Sequence, residues 1–238
     1  MNDTATPRTG GRILADALLR NGYDQVFCVP GESYLALLDA LYDSPIRVVM
    51  ARQESGAAMM AEAWGKLTGK PGIVMVTRGP GATNASAGLH IARQDSTPVI
   101  LLLGQVARGM RGREAFQEFN PTAFFGEVSK AVEEIDSAAR IPEIFSRAMY
   151  TATAGRPGPV VLSLPEDMLR ESATVADAAP WVQTETAPSP AQMAQLQKML
   201  SEAKKPFAII GGSRWSADAV AGFRRFAERF DLPVGCSL

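Results

Sequence analysis

Histidine is almost missing from this chain: His90 is the only one in 238 residues. A Ser/His/Asp set or a histidine-rich metal centre therefore has no material beyond that one side chain, and His90 itself falls in a helical segment where a structural role is expected. Cysteine is equally scarce. Cys28 lies in an apolar run and Cys236 near the end, which excludes a disulfide framework and a clustered metal spacing and suits a reduced, cytoplasmic protein. Charge of one sign is not in excess either, with 24 basic and 25 acidic residues and a net charge of -1, so neither a nucleic-acid nor a membrane-surface partner is expected. No apolar run reaches membrane-spanning length, and the polar start, residues 1–9, lacks a signal core and reads as a frayed terminus. The G-x-G-x-x-G and Walker phosphate loops and every metal-ligand spacing are also absent, so no metal site is expected within the chain.

What the chain does contain is apolar periodicity that changes period again and again. Helical patterns over 12–21, 34–42, 55–68, 82–93 and 137–153 alternate with short apolar runs over 25–29, 46–50, 72–77, 99–103, 128–132 and 159–164. Gly/Pro punctuation such as Asn21-Gly22, Pro30-Gly31 and Gly155-Arg-Pro-Gly-Pro159 separates them, and the stretch from 104 to 125 is irregular. The expected fold class is α/β, a doubly wound parallel sheet with helices on both faces, over residues 10–170. A linker rich in Ala, Thr, Ser and Pro is expected over 171–189. Residues 190–238 then read as helix, strand, helix, strand, the start of a second parallel α/β domain that is incomplete because two strands cannot cover both faces of such a sheet.

The residue types that carry chemistry gather where apolar runs give way to helices. Glu54 places a lone carboxylate between Ile46-Arg-Val-Val-Met50 and the helical segment that follows, at the carboxyl end of a strand, where parallel sheets bind ligands. Partial desolvation by Met50, Met59 and Met60 is expected to raise its pKa. Thr77-Arg-Gly-Pro-Gly-Ala-Thr-Asn84 follows the strand Ile73-Val-Met-Val76, and its spacing reads equally as a ligand loop and as a Gly/Pro turn with a helix cap. Val29-Pro-Gly-Glu-Ser33 occupies the same kind of position one strand earlier, with Ser33 a candidate N-cap and Glu32 a candidate helix-dipole partner. Phe116-Gln-Glu118 lies in the long irregular stretch, where functional loops and plain solvated loops share this polarity.

Taken in order, Val26-Phe-Cys-Val-Pro-Gly-Glu32, Arg52-Gln-Glu-Ser-Gly-Ala-Ala58, Gly69-Lys-Pro-Gly72, Thr77-Arg-Gly-Pro-Gly-Ala-Thr-Asn84 and Ala115-Phe-Gln-Glu118 resemble the amino-terminal pyrimidine-binding (PYR) domain of thiamine diphosphate enzymes, in the acetolactate synthase and pyruvate decarboxylase group. The resemblance covers about residues 10–169, and the tail from 190 resembles the opening of that family's central domain. It implies that Glu54 is the catalytic group, hydrogen-bonding N1′ of the cofactor's aminopyrimidine and favouring its imino tautomer. It also implies that Pro30, Gly31, Pro80, Asn84 and Gln117 contact the cofactor and that Glu32 and Phe116 lie near the substrate. The cofactor supplies the hard chemistry and the protein positions and tunes it.

The activity so implied is that of a transferase or lyase: decarboxylation of a 2-oxo acid such as pyruvate, then carboligation of the acetolactate synthase type. Glu32 departs from the small residue usual in acetolactate synthases, which keeps a 2-oxo acid decarboxylase, or another acyl-transferring thiamine enzyme, as the alternative. A non-catalytic assembly module that keeps the fold is the rival from another class. Nothing in the sequence resembles the family's Gly-Asp-Gly segment for magnesium and diphosphate, so Mg2+ is expected to enter through a C-terminal domain missing here. Flavin (FAD), bound by some relatives through the central domain, is left open. Because the family's cofactor lies between two subunits, the resemblance implies a homodimer or higher oligomer, or a separate diphosphate-binding subunit. The 238-residue chain alone is expected to be inactive.

Overall fold

The computed structural model describes residues 6–212 and 214–237. Most of the frayed terminus expected at residues 1–9 thus lies outside the described residues. The chain divides into one unit ending at Gln183 and a second beginning at Thr184. The first unit runs β1 (Arg8–Thr9), α1 (Gly10–Arg20), β2 (Gln25–Cys28), α2 (Leu35–Tyr42), β3 (Arg47–Met50), α3 (Glu54–Thr68), β4 (Gly72–Val76) and α4 (Pro80–Gln94). It continues with β5 (Val99–Gln105), α5 (Pro121–Phe125), β6 (Ala131–Glu134), α6 (Ile141–Thr153), β7 (Pro159–Pro165), α7 (Glu166–Arg170) and β8 (Ser172–Ala173).

Six strands form an all-parallel sheet in the order β3-β2-β4-β5-β7-β6. Side chains alternate across it, as the strand period requires. Cys28, Ile73, Met75, Ile100, Leu102 and Leu162 join one core with α1, α2 and α6. Phe27, Val74, Val76, Leu101, Leu103 and Val161 join the other with α3, α4 and α5. The near-continuous apolar runs in the sequence follow from this burial on both faces, and the doubly wound expectation holds. On the second face α3 and α4 meet through small residues: a Cβ built on Gly88 would lie 2.5 Å from the Ala58 Cβ.

Boundaries moved where capping or pairing outweighed periodicity. α4 begins at Pro80, in the first turn, where the fixed φ of proline favours helix and its missing N–H costs nothing. Asn84 is a helical residue, as the pattern over 82–93 leads one to expect. The irregular stretch contains α5, capped by the Asn120 side chain on the Ala123 N–H, and β6 lies at Ala131–Glu134, later than the expected 128–132. The segment after residue 170 does not run free at first. β8 pairs antiparallel with β1, Gly10 N donates to the Glu171 carbonyl at 2.9 Å, Arg8 and Arg20 pair with Asp177, and Trp181 N donates to Asn21 Oδ1 at 2.8 Å. These contacts tie residues 171–181 and the Arg8–Thr9 strand to the first unit, so the compact body passes the linker start expected at 171.

The second unit contains α8 (Pro190–Glu202), β9 (Ala208–Ile210), α9 (Ala217–Arg229) and β10 (Val234–Cys236), with β9 and β10 paired in parallel. α8 opens with a capping box between Ser189 and Gln192. Among the described residues no helix is long and apolar enough to cross a membrane.

Candidate functional site

The strand order reverses at β2: the chain moves to β3 on one side and then returns to β4 on the other. Helix α2, which follows β2, packs into one core and α4, which follows β4, into the opposite one, so the chain leaves these two strands toward opposite faces, at the switch-point crevice where open parallel sheets bind ligands. The segments 29–34, 51–54 and 77–81 all lie at that end.

Glycines let these segments approach one another. A Cβ on Gly31 would lie 2.6 Å from the Thr77 Cβ, one on Gly81 2.8 Å from the Thr77 Cγ2, and one on Gly79 2.7 Å from the Gln117 carbonyl oxygen. Gly79 also has φ +56 and ψ -108, backbone that a side chain would strain. Beneath the crevice the buried Ser33 hydroxyl bonds to the Thr77 hydroxyl at 2.8 Å. Ser33 is thus not the N-cap expected for it; Gly31 precedes the 3-10 turn Glu32–Tyr34, and Tyr34 precedes α2.

Glu54 is the first residue of α3, half-buried, and its Oε2 accepts from Asn84 Nδ2 of α4 at 2.9 Å. Its Oε1 faces Gly81, 3.5 Å from where a Cβ would stand. The carboxylate is thereby held by one oxygen and open at the other, above a stretch of bare backbone. Helix α3 presents its first-turn N–H groups to this end, a setting that favours negative charge. Of the three methionines expected to cover Glu54, Met50 is 68% and Met59 41% exposed, while Met60 is half-buried against the core that α3 and α4 share. Tyr34 lies close by, its hydroxyl donating to the Val29 carbonyl. Burial, then the neighbouring Cys28 and Glu54, push the phenol's pKa far up, so it stays a proton donor. Burial likewise pushes the Cys28 thiol up to about 11, which leaves it unreactive.

The structure brings Glu54 and Asn84 into contact, with Gly31 on the loop after β2 and Pro80 in the first turn of α4. Pro30 and Glu32 are exposed on the β2 loop, and Phe116 is 75% exposed. Gln117 is half-buried with φ +62, its backbone seated over Gly79. His90 is exposed on α4. Among the described residues no group of three or more His, Cys, Asp or Glu is placed to hold a metal ion.

The loop that carries Phe116 and Gln117 is held internally by Glu118, which accepts from Gly112 N at 2.7 Å and Ala115 N at 3.2 Å. Those bonds, that from Gly112 foremost, hold the Glu118 carboxyl below its usual range. A carboxyl lowered in the folded state contributes order that is complete above its ordinary value of about 4.3 and lost as pH falls through the lowered one. The amide resonances of Gly112 and Ala115 are therefore expected to stay fixed from neutral pH down to about 4.3 and to move only below it. Movement of both at pH 5–7 would remove Glu118 as their anchor.

Two residues of the 77–84 segment had no role of their own in the sequence. Arg78, only 8% exposed, donates from Nε to the Phe116 carbonyl at 3.0 Å and pairs through Nη1 with Glu166 Oε2 at 3.4 Å. Thr77 supplies the floor between Gly31 and Gly81. A Thr-Arg pair inside a Gly/Pro turn looks like any solvated turn until the fold brings its partners to it.

Residues 8–124 match a family model described as thiamine pyrophosphate enzyme, N-terminal TPP binding domain. The chain is 36% identical over 232 residues to the acetolactate synthase isozyme 2 large subunit of Escherichia coli (strain K12), an alignment covering 96% of this chain and 42% of that one. It is 36% identical over 237 residues to the acetolactate synthase large subunit of Lactococcus lactis subsp. lactis (strain IL1403), covering 98% and 41%. It is also 36% identical over 243 residues to the chloroplastic acetolactate synthase of Arabidopsis thaliana, covering 98% and 35%. The chain thus spans 35–42% of the length of these curated relatives.

Proposed function

This chain belongs to the thiamine pyrophosphate enzyme family through its N-terminal TPP binding domain, and from that premise we propose that its crevice holds the aminopyrimidine half of thiamine diphosphate for an acetolactate synthase-type reaction on pyruvate or a related 2-oxo acid. The observation that carries the proposal is the half-held carboxylate: Glu54 anchored by Asn84 through Oε2, with Oε1 turned over Gly81. The fit is physical. A flat heteroaromatic ring with a nitrogen at its edge needs a carboxylate oxygen free to meet that nitrogen, and Glu54 Oε1, facing Gly81 where no side chain stands, offers one.

When bound, thiamine diphosphate supplies a carbon nucleophile and an electron sink for decarboxylation and carbon–carbon bond formation. The chain's own residues prepare that chemistry. Glu54 holds or gives up a proton at Oε1 toward a ring nitrogen, and Asn84 keeps the carboxylate from rotating away. Pro30, Gly31, Pro80 and Gln117 would contact the ring. Glu32 and Phe116, both exposed, project where a substrate approaches.

A second surface is needed to cover Glu54, since Met50 and Met59 leave it open to solvent. In this reading a second subunit, in a homodimer or larger assembly, or a separate diphosphate-binding subunit covers it and brings Mg2+ and the diphosphate contacts. The chain alone then turns over no pyruvate. The cytoplasm is the compartment that fits two cysteines, one of them buried, left as free thiols.

Product analysis tests the reading. Incubated with pyruvate, thiamine diphosphate and Mg2+, the enzyme that contains this domain is expected to form acetolactate. Acetaldehyde as the sole product would transfer it to the decarboxylases that Glu32 keeps in view, and no turnover with cofactor bound would favour an assembly module.

A further inference from the structure

We propose that Arg78 is a positioning residue that fixes the loop bearing Phe116 and Gln117 onto the turn between β4 and α4. The inference rests on the reading above that this loop faces cofactor and substrate. Arg78 stands between the two segments, one residue before Gly79. Its Nε donates to the carbonyl of Phe116, and its Nη1 pairs with Glu166, at the start of α7 just beyond β7. One buried guanidinium thereby ties the carboxyl end of β4 to that of β7 and to the loop between them.

The loop has need of such a tie. From 106 to 120 it has no strand or α-helix, and Glu114 and Gln117 both adopt positive φ, +53 and +62, without being glycine. Such backbone persists only where surrounding contacts over-determine it. On one side the Gln117 backbone is seated on Gly79. The Arg78 bond to Phe116, the preceding residue, sets the orientation of the peptide that leads into Gln117. The start of the loop has its own anchor, Arg108, which pairs with Asp167 and Glu171 and donates to the Asp136 carbonyl. Arg78 serves the far end, where the side chains assigned to the site are borne, beside Gln105, whose Nε2 donates to the Phe119 carbonyl at 3.3 Å. Glu166 lies beyond the family match at residues 8–124, so this clamp joins the matched domain to the part of the sheet that follows it.

Hydrogen exchange of the 238-residue chain, followed by mass spectrometry without cofactor, tests the clamp. In Arg78→Met the peptide covering 114–120 is expected to exchange about ten- to a hundredfold faster, the scale set by loss of a charge-assisted hydrogen bond. Peptides of β5 are expected to keep their protection. Arg78→Lys, which retains a cationic donor, is expected to recover part of the lost protection. Glu166→Gln, which keeps the Phe116 bond and weakens the pair, is expected to give a smaller loss than Arg78→Met. Unchanged exchange over 114–120 in Arg78→Met, or a loss spread equally over β5 in all three variants, would overturn the proposal. If Arg78→Met does not fold, the lysine variant and Glu166→Gln decide it by the same comparison. Because no cofactor is present, failure of the thiamine reading would show in product analysis and failure of the clamp only here.

Discussion

Glu54→Gln, in the enzyme that carries this domain, is expected to lower kcat with pyruvate by about 10²–10⁴-fold, the range for loss of a positioned acid–base group. Glutamine is nearly isosteric, and its amide oxygen still accepts from Asn84 Nδ2, so the contact that orients the side chain is kept. What is lost is the proton held at Oε1, so the loss should fall on kcat while bound cofactor remains measurable by calorimetry. Asn84→Ala is expected to have a milder effect, because it frees the carboxylate to rotate without removing it. Activity unchanged in Glu54→Gln, with thiamine diphosphate still bound, would take Glu54 out of the mechanism.

The sheet was legible because its inner strands β2, β4, β5 and β7 are buried on both faces and so read as short apolar runs between glycine and proline signals. Ile73-Val-Met-Val76 with Gly-Pro-Gly two residues on announced a strand, a turn and a helix start in the space of one segment. Short pairings were not legible. β1 and β8 are two residues each and find one another across the whole first unit, so no local period marks them. The site divides in the same way. Glu54 and Asn84 are placed by elements whose period is plain, each in the first turns of its helix. Arg78 acts through partners 38 and 88 residues away, and neither distance leaves a trace in local sequence. The outward turn of Met50 and Met59 was illegible for a related reason. A methionine near a carboxylate in sequence says nothing about which face of strand or helix it occupies, and Met50 and Met59 turn outward.

Gly79→Ala is expected to be the most damaging single-methyl change at the crevice, because two independent costs meet there. The first is conformational. With φ +56 and ψ -108, Gly79 occupies backbone outside even the left-handed helical well, and an L side chain there costs about 1–3 kcal/mol. The second is steric: the new Cβ would meet the Gln117 carbonyl oxygen at 2.7 Å and its Cβ at 3.0 Å, so the loop must lift. Gly69→Ala separates the two. Gly69 ends α3 at φ +71 and ψ -2, within the left-handed well, with nothing within 4 Å of the added methyl. It is expected to lower the urea midpoint modestly, by the equivalent of about 1 kcal/mol, and to leave the loop alone. Gly79→Ala is expected to lower it further, to shift the amide resonances of Gln117 and Glu118, and to weaken cofactor binding in the assembled enzyme. A midpoint no lower than that of Gly69→Ala, with the Gln117 and Glu118 amides in place, would show that the loop does not rest on Gly79.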